Sequence, residues 1–441
     1  MSFASLGLHE SLLVPLQSQG YTTPTPIQTS AIPVVLAGRD VIGMAQTGTG
    51  KTAAFVLPIL QRLMQGRPAG IRALIVTPTR ELAEQINTTI VVLSKGTGLR
   101  SATVYGGVSM APQERALRTG VDIIVACPGR LLDHMDRGYV RFDGLQTLVL
   151  DEADRMLDMG FLPAIKRILA RLPASRQTLL FSATMMPEIK TLAMSTTRNA
   201  TTIQVDPALP PTTVTHAIYP VIEHQKTDLL LDLLRRTATE SVLVFTRTKH
   251  RANRVAAQLD RAGYAVARLH SNRSQSQRQL ALDGFRDGTF QVLVATDIAA
   301  RGIDVTRISH VINYDMPDTS DAYIHRIGRT GRAARSGDAF TLMTPDDRVM
   351  LRTIERALGA PIERRNVSGF AEHEQVVPVQ SGVASAFERH HAQSERAGGR
   401  ANTTPLRSYR PSPRGNEQLA RKPQRAAQPA RPEQRRQKGP L

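Results

Sequence analysis

Residues 40–53 read DVIGMAQTGTGKTA, and their local order decides the fold. A short apolar run ends at Met44, a loop rich in Gly and Thr follows, and residues of helical period begin at Ala53. Such a loop, placed between a buried strand and a helix, lets backbone amides converge on phosphate oxygens. Lys51 adds positive charge and the Thr52 hydroxyl can hold Mg²⁺. The stretch therefore predicts a phosphate-binding loop rather than an ordinary flexible turn before a helix.

The order of strand, loop and helix recurs along the chain. Short runs such as 73–76 and 148–150 are apolar at nearly every position, and segments of helical period separate them. This alternation is typical of parallel strands that are buried on both faces and joined through helices. The proline-rich segment 206–212 interrupts the pattern, which then restarts. We therefore expect an α/β fold with two tandem domains, each a parallel sheet flanked by helices: domain 1 over 1–206, a linker over 207–212 and domain 2 over 213–368.

The charge of the chain favours a polyanionic partner. Lys and Arg number 56 against 38 Asp and Glu, which gives a net charge of +18. This charge favours nucleic acid over a membrane surface as the binding partner. Residues 387–441 hold 13 of these cations and 4 of the acids, with seven Pro and no Ile or Val. Such a composition buries too little apolar surface to offset the entropy of ordering. We expect residues 369–441 to form a disordered basic tail.

The cysteine count and the hydropathy pattern exclude several classes of protein. One Cys can form neither an internal disulfide nor a Cys-rich zinc module. No apolar run in the sequence approaches the roughly 18 residues of a membrane span. We expect a soluble, cytoplasmic protein with no membrane partner.

Acidic residues follow the apolar run 147–150. Asp151, Glu152 and Asp154 should lie at the carboxyl edge of the sheet, beside the phosphate-binding loop. There Asp151 would hold Mg²⁺, partly through water, and Glu152 would orient or deprotonate the attacking water. Such a cluster is also typical of the solvated first turn of a helix. The neighbouring phosphate loop favours the metal and water roles.

Six short motifs occur together in this chain. They are AQTGTGKT at 45–52, PTREL at 78–82, DEAD at 151–154, SAT at 182–184, ARGID at 300–304 and HRIGRTGR at 325–332. In order and spacing they resemble the motifs of DEAD-box RNA helicases, and the resemblance covers residues 1 to about 365. It implies two RecA-like domains that bind ATP, Mg²⁺ and RNA. The compact N-terminus and the basic tail most resemble the bacterial RhlE-type branch.

The resemblance extends to a segment that reads adenine. Residues 20–28, GYTTPTPIQ, resemble the family's Q motif, and Phe3 stands seventeen residues before Gly20, where the family keeps an isolated aromatic residue. Gln28 can donate to and accept from the adenine edge, which implies selectivity for ATP, and the segment also reads as a proline-rich start of a helix. Ala45 stands where the general P-loop pattern has Gly. The implied nucleotide-binding residues are Phe3, Tyr21, Gln28, Ala45, Gln46, Thr47, Gly48, Thr49, Gly50, Lys51, Thr52 and, at the ribose, Asp304.

The catalytic and coupling roles in the second domain follow from the resemblance. Arg329 and Arg332 are three residues apart, so they would share one face if the segment were helical. The resemblance assigns both to the γ-phosphate across the cleft between the domains. The expected catalytic residues are Lys51, Asp151, Glu152, Arg329 and Arg332, the metal ligands are Thr52 and Asp151, and the coupling residues are Asp154, Ser182, Thr184 and His325.

RNA contacts are expected from both domains. Amides, hydroxyls and guanidinium groups suit phosphate and ribose recognition, so binding should be largely sequence-independent. Two positions depart from the family pattern: Cys127 stands where Thr precedes Pro-Gly-Arg, and Ser271-Asn272 stand where Gly-Asp follows His270. We interpret Cys127 as an inert thiol at a strand end rather than a redox switch. The implied RNA-binding residues are Thr79, Arg80, Gly107, Gly129, Arg130, Arg247, Gln275, Arg278 and Thr296.

The sequence thus predicts an ATP-dependent RNA helicase in which ATP and RNA together close two domains. Closure would separate a short duplex locally or remodel an RNA–protein complex, and hydrolysis would reopen the cleft. The alternative is an RNA-annealing chaperone or an ATP-gated RNA clamp, in which the tail anneals strands and the core holds a partner. A DNA helicase would differ in its independence of the 2′-OH. The RhlE-type resemblance implies ribosomal precursors or RNA-degradation proteins as partners.

Overall fold

Two parallel seven-stranded sheets, each flanked by helices, account for the architecture. The computed structural model describes residues 2–45, 48–66, 70–205, 214–237, 240–300, 308–331 and 336–370. These residues belong to one unit, Met1–Glu374, and the second unit, Gln375–Leu441, lies outside them. The predicted linker, and the predicted tail beyond residue 370, therefore lie outside the described residues.

The first sheet has the strand order β3-β4-β2-β5-β6-β1-β7. Its strands are β1 Val41–Met44, β2 Ala73–Val76, β3 Ser101–Val104, β4 Ile123–Ala126, β5 Thr147–Leu150, β6 Gln177–Ser182 and β7 Thr201–Gln204. Its helices are α1 Glu10–Ser18, α2 Pro26–Leu36, α3 Lys51–Met64, α4 Arg80–Leu93, α5 Met110–Thr119, α6 Pro128–Asp136, α7 Ala153–Asp158, α8 Leu162–Leu169 and α9 Pro187–Thr196, with a 3-10 turn at Phe3–Leu6. Helix α3 thus begins at Lys51, two residues before the predicted start.

The second sheet has the order β10-β11-β9-β12-β13-β8-β14. Its strands are β8 Val214–Pro220, β9 Val242–Thr246, β10 Val266–Leu269, β11 Val292–Thr296, β12 His310–Asn313, β13 Gly337–Met343 and β14 Glu363–Arg364. Its helices are α10 Lys226–Arg236, α11 Lys249–Arg261, α12 Gln275–Arg286, α13 Asp297–Ala300, α14 Ser320–Ile327 and α15 Arg348–Leu358, with 3-10 turns at Glu223–Gln225 and Pro345–Asp347.

Each sheet is buried on both faces, as the apolar runs predict. In β2, Ala73 and Ile75 pack into one core layer, and Leu74 and Val76 pack into the layer on the opposite face. The residues of β9 alternate in the same way between the two core layers of the second sheet. Side chains point to opposite faces in turn along a strand, so a strand covered on both sides must be apolar throughout. The expected fold class is confirmed.

Parallel pairing brings the loops that carry the motifs to one edge of each sheet. Strand β1 lies between β6 and β7, and its register places Met44 beside Ser182. Strand β5 pairs with β6, so Asp151 follows the strand next to the one that ends at Ser182. The phosphate-binding loop, DEAD and SAT therefore meet at one edge. Among the helices of the described residues, none has the length and apolar character needed to cross a membrane.

Candidate functional site

The loop before α3 has the backbone that a phosphate cradle requires. Gly48 and Gly50 have φ of +89° and +92°, a left-handed conformation that glycine adopts without strain. A Cβ at Gly50 would lie 2.5 Å from Gln28 Nε2, so the close packing also requires glycine. Lys51 is buried and its Nζ donates to the Ala45 carbonyl at 2.9 Å. Thr49 and Thr52 complete the described part of the loop and the first turn of α3, while Gln46 and Thr47 lie outside the described residues.

Gln28 connects the adenine-reading segment to the phosphate loop. Its Nε2 donates to the Gly50 carbonyl at 3.0 Å, and its Oε1 accepts from the Thr25 backbone N at 2.9 Å in a capping box at the start of α2. An amide has two N–H donors and an oxygen with two lone pairs, so one donor and one acceptor site remain for adenine. Phe3 packs edge-on against Tyr21 with 6.2 Å between ring centroids. The capping role and the proposed adenine role of Gln28 are therefore compatible.

The carboxylates after β5 are buried close to Lys51. Burial raises the pKa of Asp151 to about 6; Lys51 lowers it and the Glu152 charge raises it. Glu152 Oε2 accepts from Arg155 Nη1 at 2.9 Å, while Oε1 is buried without a hydrogen-bond partner among the described residues. Uncompensated negative charge and an unpaired carboxylate oxygen fit a divalent cation and a water. Asp151 and Thr52 are the residues that would hold Mg²⁺.

Glu152 has a strained backbone. Its φ of +52° and ψ of +52° place it in the left-handed region, where a residue with a Cβ is uncommon. Strain of this kind costs on the order of 1–3 kcal/mol and clusters at functional sites. Here it turns the chain from β5 into α7, so that Glu152 and Asp154 face the same edge as the phosphate loop.

Asp154 joins the DEAD segment to the SAT segment. Its Oδ2 accepts from the backbone N of Ala183 and from that of Thr184, each at 3.0 Å, and from Thr184 Oγ1 at 3.4 Å. Its own backbone N donates to Ser182 Oγ at 3.3 Å. The structure thus brings three of the four predicted coupling residues into one hydrogen-bonded group.

The fourth predicted coupling residue, His325, reaches this group from the second domain. The pKa of His325 is lowered to about 3: burial is the largest cause, the charges of Arg155 and Arg329 contribute in the same direction, and the charge of Asp154 opposes them. His325, Arg329 and Arg155 line one small cavity. Arg329 is buried there and lies just beyond α14, which ends at Ile327. That Arg329 and Arg332 share one face stays a prediction.

Two of the predicted residues of the second domain cannot be placed. Arg332 and Asp304 lie outside the described residues. Their assignments to the γ-phosphate and to the ribose stay predictions.

Two of the predicted RNA-binding arginines of the first domain, Arg80 and Arg130, meet at one glycine turn. Thr79 caps α4 by accepting from the Leu82 backbone N at 3.3 Å. Gly107 has φ of +81°, and a Cβ there would meet the Arg80 guanidinium. Arg130 Nη2 donates to the Val108 carbonyl at 3.1 Å, which ties α6 to the same turn.

The start of α6 keeps its amides uncapped. Cys127 is its N-cap residue and makes no side-chain capping bond, in contrast to Thr79 at α4. Burial raises the pKa of this thiol to about 12, which fits the interpretation as an inert thiol. Gly129, in the first turn of α6, has open space where a Cβ would be.

The first turn of α12 contacts the first domain. Gln275 Oε1 accepts from Arg80 Nη1 at 3.3 Å, and Gln275 Nε2 donates to Glu81 Oε1 at 3.3 Å. Arg278 Nε donates to the same Glu81 oxygen at 2.8 Å. Glu81 is buried, so a guanidinium and an amide from one domain satisfy a carboxylate of the other. Predicted RNA-binding residues from both domains therefore lie side by side.

The remaining predicted RNA contacts lie at strand ends of the second sheet. Arg247 follows β9, donates to the Met316 carbonyl at 3.3 Å and pairs with Asp318 at 3.3 Å. Thr296 ends β11, and its register partner is Thr246. Among the described residues, neither side chain makes a hydrogen bond or an ion pair with the first domain.

Sequence reasoning missed two residues of this site. Glu81 stands inside the PTREL motif, but its partner Arg278 is 197 residues away. Arg155 follows DEAD directly and pairs with Glu152 at the helical spacing of three. The helical spacing was the available signal for Arg155, whereas no local signal pointed to the Glu81 pair.

A phosphate loop, adjacent buried carboxylates and a second sheet that supplies cations define a two-domain P-loop ATPase of the helicase type. Two family models match the chain: DEAD/DEAH box helicase over residues 25–192 and Helicase conserved C-terminal domain over residues 225–334. The chain is 41% identical over 394 residues to the DEAD-box ATP-dependent RNA helicase RhpA of Helicobacter pylori. The aligned residues make up 88% of this chain and 80% of RhpA. It is 46% identical over 365 residues to the RNA helicase CrhR of Synechocystis. These residues make up 82% of this chain and 74% of CrhR.

Solved structures of similar fold include S. cerevisiae Dbp5 bound to RNA and ADP BeF3, with a TM-score of 0.75 and 32% identity over 83% of this chain and 95% of that chain. The DEAD-box helicase Mss116 bound to ssRNA and UDP-BeF gives a TM-score of 0.77 and 25% identity, over 83% of this chain and 80% of the Mss116 chain. The chain belongs to the DEAD-box family of ATP-dependent RNA helicases. Its place in the RhlE-type branch stays a prediction.

Proposed function

We propose that this helicase separates short RNA duplexes locally, or remodels RNA–protein complexes, by closing two domains around ATP and RNA and reopening them after hydrolysis. One observation carries the proposal. Glu81 of the first domain holds Gln275 and Arg278 of the second on the side of the predicted RNA contacts. In the same arrangement His325 lies beside the DEAD segment on the nucleotide side.

The residues of the nucleotide side have distinct tasks in hydrolysis. Thr52 and Asp151 would hold Mg²⁺, which when bound neutralises charge on the phosphates. Lys51 binds phosphate oxygens in place of the Ala45 carbonyl, and the glycine turn aims backbone amides at them. Glu152 takes the proton of the attacking water at Oε1, while Arg155 fixes the carboxylate through Oε2. Arg329, together with Arg332, stabilises the charge that develops on the transferred phosphoryl group.

The hydrogen bonds of Asp154 give the two sides a physical connection. Asp154 holds the SAT backbone, and His325 and Arg329 enter the same region only from the second domain. A ligand that prefers the closed arrangement on one side therefore favours the other ligand too. Thermodynamic linkage requires RNA to tighten ATP binding by the same factor by which ATP tightens RNA binding.

The RNA side suits recognition of the backbone rather than of bases. Its groups are guanidinium groups, hydroxyls and amides, which bind phosphates and riboses. We infer largely sequence-independent binding in the cytoplasm, with ribosomal precursors or RNA-degradation proteins as partner classes.

Strand separation that requires ATP tests the proposal. Full-length protein is mixed with a short RNA duplex carrying one labelled strand, and release is followed with and without ATP, with Glu152→Gln as the hydrolysis-deficient control. We expect release with wild type and ATP, and strongly reduced multiple-turnover release with the variant. Annealing at the same rate with and without ATP, and no ATP-dependent separation, would instead favour an annealing chaperone.

A further inference from the structure

Four arginines lie at the edge of the first sheet where its strands begin, opposite the edge that carries the motifs. Strands β6, β1 and β7 are neighbours there, and Arg176, Arg39 and Arg198 stand one, two and three residues before them, respectively. Because neighbouring strands run about 4.8 Å apart, these three strands span roughly 10 Å of the edge. Arg62 reaches the same place from the last turn of α3. We call Arg39, Arg62, Arg176 and Arg198 the amino-edge cluster.

Gln177 ties Arg62 to the segment that carries Arg39. It is the first residue of β6 and is buried. Its Oε1 accepts from Arg62 Nη1 at 2.7 Å, and its Nε2 donates to the Arg39 carbonyl at 2.7 Å. A Cβ at Gly38 would lie 3.0 Å from Arg62 Nη2, so the turn before Arg39 also packs on this guanidinium. The neutral amide positions the guanidinium and leaves its positive charge uncancelled.

A buried carboxylate, Asp40, lies beside the cluster, but its oxygens bind backbone amides. Oδ1 accepts from the backbone N of Thr178 at 2.8 Å, and Oδ2 accepts from that of Arg198 at 2.6 Å. In the part of the chain that the structure describes, the four arginines of the cluster form no ion pair. Four positive charges thus meet one negative charge, and a bound anion would relieve their repulsion.

Arg176 is half-buried and incompletely bonded. Its Nη1 donates to the Pro173 carbonyl, while its Nε is buried without a hydrogen-bond partner among the described residues. Burial lowers the pKa of Arg176 and the charge of Arg198 acts in the same direction, whereas Asp40 opposes them. Burial also lowers the pKa of Arg62. An N–H group that is removed from water without an acceptor costs free energy, and an oxyanion at this place would supply the acceptor.

The character of the surface favours phosphate as the anion. The cations of the cluster are all arginines, whose planar fork matches the oxygens of phosphate and of carboxylate. A protein partner with carboxylates would also need an apolar contact at the centre of its interface. The exposed residues beside the cluster are instead small or polar, namely Gly38, Ala174, Ser175 and Asn199. Surfaces that bind nucleic acid are more polar and more positive than those that bind protein.

We propose that the amino-edge cluster binds phosphates of a second RNA segment, outside the strand that is bound at the carboxyl edges of the sheets. The strands of the first sheet separate its two edges by roughly 15 Å, so one phosphate cannot contact both. A duplex arm next to the bound strand offers such a segment. Joining two contacts on one molecule raises the effective concentration of the second, so the cluster should strengthen binding of an extended RNA and leave that of a short RNA unchanged. The inference rests on the proposed function, because it requires the first strand at the carboxyl edges.

The test removes two charges of the cluster and compares two RNA probes. Arg39 and Arg198 are exposed, and the bonds described above use only their backbone atoms, so Arg39→Gln/Arg198→Gln should keep the fold. The full-length double variant is titrated at several salt concentrations with a labelled short single-stranded oligonucleotide, and with the same oligonucleotide extended by a hairpin at its 5′ or its 3′ end.

The loss should appear with the extended probe alone. Losing two phosphate contacts should lower the magnitude of the slope of log K against log salt by about 1.4 to 1.8, and weaken binding at about 0.1 M salt at least about tenfold. Affinity for the short oligonucleotide, and the ATPase rate at saturating amounts of it, should equal those of wild type.

Arg352→Gln/Arg356→Gln is the matched control, because it removes two positive charges at exposed positions of α15. Its slopes and affinities for all probes should equal those of wild type. Equal losses in the two double variants, or no loss of affinity for either extended probe in Arg39→Gln/Arg198→Gln, would overturn the inference. So would loss of binding to a polyglutamate peptide with RNA binding unchanged, since the cluster would then serve an acidic protein.

Crosslinking gives a second and local readout. A photoreactive nucleotide in the hairpin should crosslink to residues of the amino-edge cluster in wild type. Crosslinks confined to the second domain or to residues 387–441 would contradict the inference. Absence of ATP-dependent strand separation in wild type would instead reject the proposed function, so the two failures are distinguishable.

Discussion

The two sheets share one strand order but have different chemistry at the same place. Raising each strand number of the first sheet by seven gives the order of the second. Lys226 begins α10 as Lys51 begins α3, and Asp315 stands just after β12 as Asp151 stands after β5. Both halves therefore place a buried lysine and a buried aspartate at the carboxyl edge of the sheet.

The environments of the two lysines differ. Lys226 Nζ lies 3.2 Å from Glu223 and 3.6 Å from Asp315, and Asp315 also pairs with Arg251. The segment between β8 and α10 is VIEHQ, which has no glycine. Lys51 instead donates to a loop carbonyl, and the pKa of Asp151 is raised. Topology thus offers the same position twice, and we propose that the nucleotide binds the half that has a glycine loop and uncompensated charge.

Lys51→Ala should break the first half's function most severely. Loss of a preorganised cation at the phosphates should reduce kcat for ATP by about 100- to 1,000-fold, while the fold survives. Steady-state ATPase assays with RNA, together with circular dichroism, make the measurement. A folded variant with an ATPase rate within threefold of wild type would remove the phosphate-loop assignment.

Glu152→Gln should slow hydrolysis about 100-fold without removing nucleotide binding, because the water loses its base. The amide oxygen can still accept from Arg155, so the local structure should be kept. RNA should stay trapped in the presence of ATP, as measured by the dissociation rate of a labelled strand. Release as rapid as from wild type would contradict the role given to Glu152.

Glu81→Gln should weaken the contact between the halves. Arg278 loses its charged partner, and the RNA concentration for half-maximal ATPase stimulation should rise roughly tenfold, with kcat at saturating RNA nearly unchanged. Glu84→Gln is the control on the same helix, because Glu84 accepts from Thr103 within the first domain. Equal effects of the two substitutions would show that Glu81 has no special role in closure.

Of the four substitutions, Lys226→Met should change the ATPase activity least. It should instead lower the stability of the protein. The buried ion pair with Asp315 breaks, so the free energy of unfolding should fall by about 2 kcal/mol, moderated because Arg251 still pairs with Asp315. The RNA-stimulated ATPase rate should stay within threefold of wild type. Urea denaturation and ATPase assays check both; a loss of ATPase as large as that of Lys51→Ala would show that the second half also binds the nucleotide.

The fold followed from sequence wherever strands are buried on both faces. Strand β2 coincides with the apolar run 73–76. Strands β3, Ser101–Val104, and β7, Thr201–Gln204, carry Ser, Thr and Gln and lack a clear apolar run, because edge strands are only partly covered. Their positions became visible only through pairing with neighbouring strands.

The residues of the candidate site that could be predicted are those whose positions depend on neighbouring residues in the sequence. The positions of Lys51, Asp151 and Glu152 at strand ends could be read from the residues that precede them. The pair of Glu81 with Arg278 depends on two domains meeting, and residues 197 positions apart leave no periodic trace. His325 was named only through the family resemblance, since the charge and burial that lower its pKa come from the other domain.

Reciprocal binding of RNA and nucleotide tests the central claim, that both halves form one closed site, most directly. Dissociation constants are measured for single-stranded RNA with and without a non-hydrolysable ATP analogue, and for the analogue with and without RNA. The account predicts the same tightening factor in both directions, at least about fivefold, and a smaller factor in Glu81→Gln. Independent binding of the two ligands, with a factor of one in both directions, would contradict it.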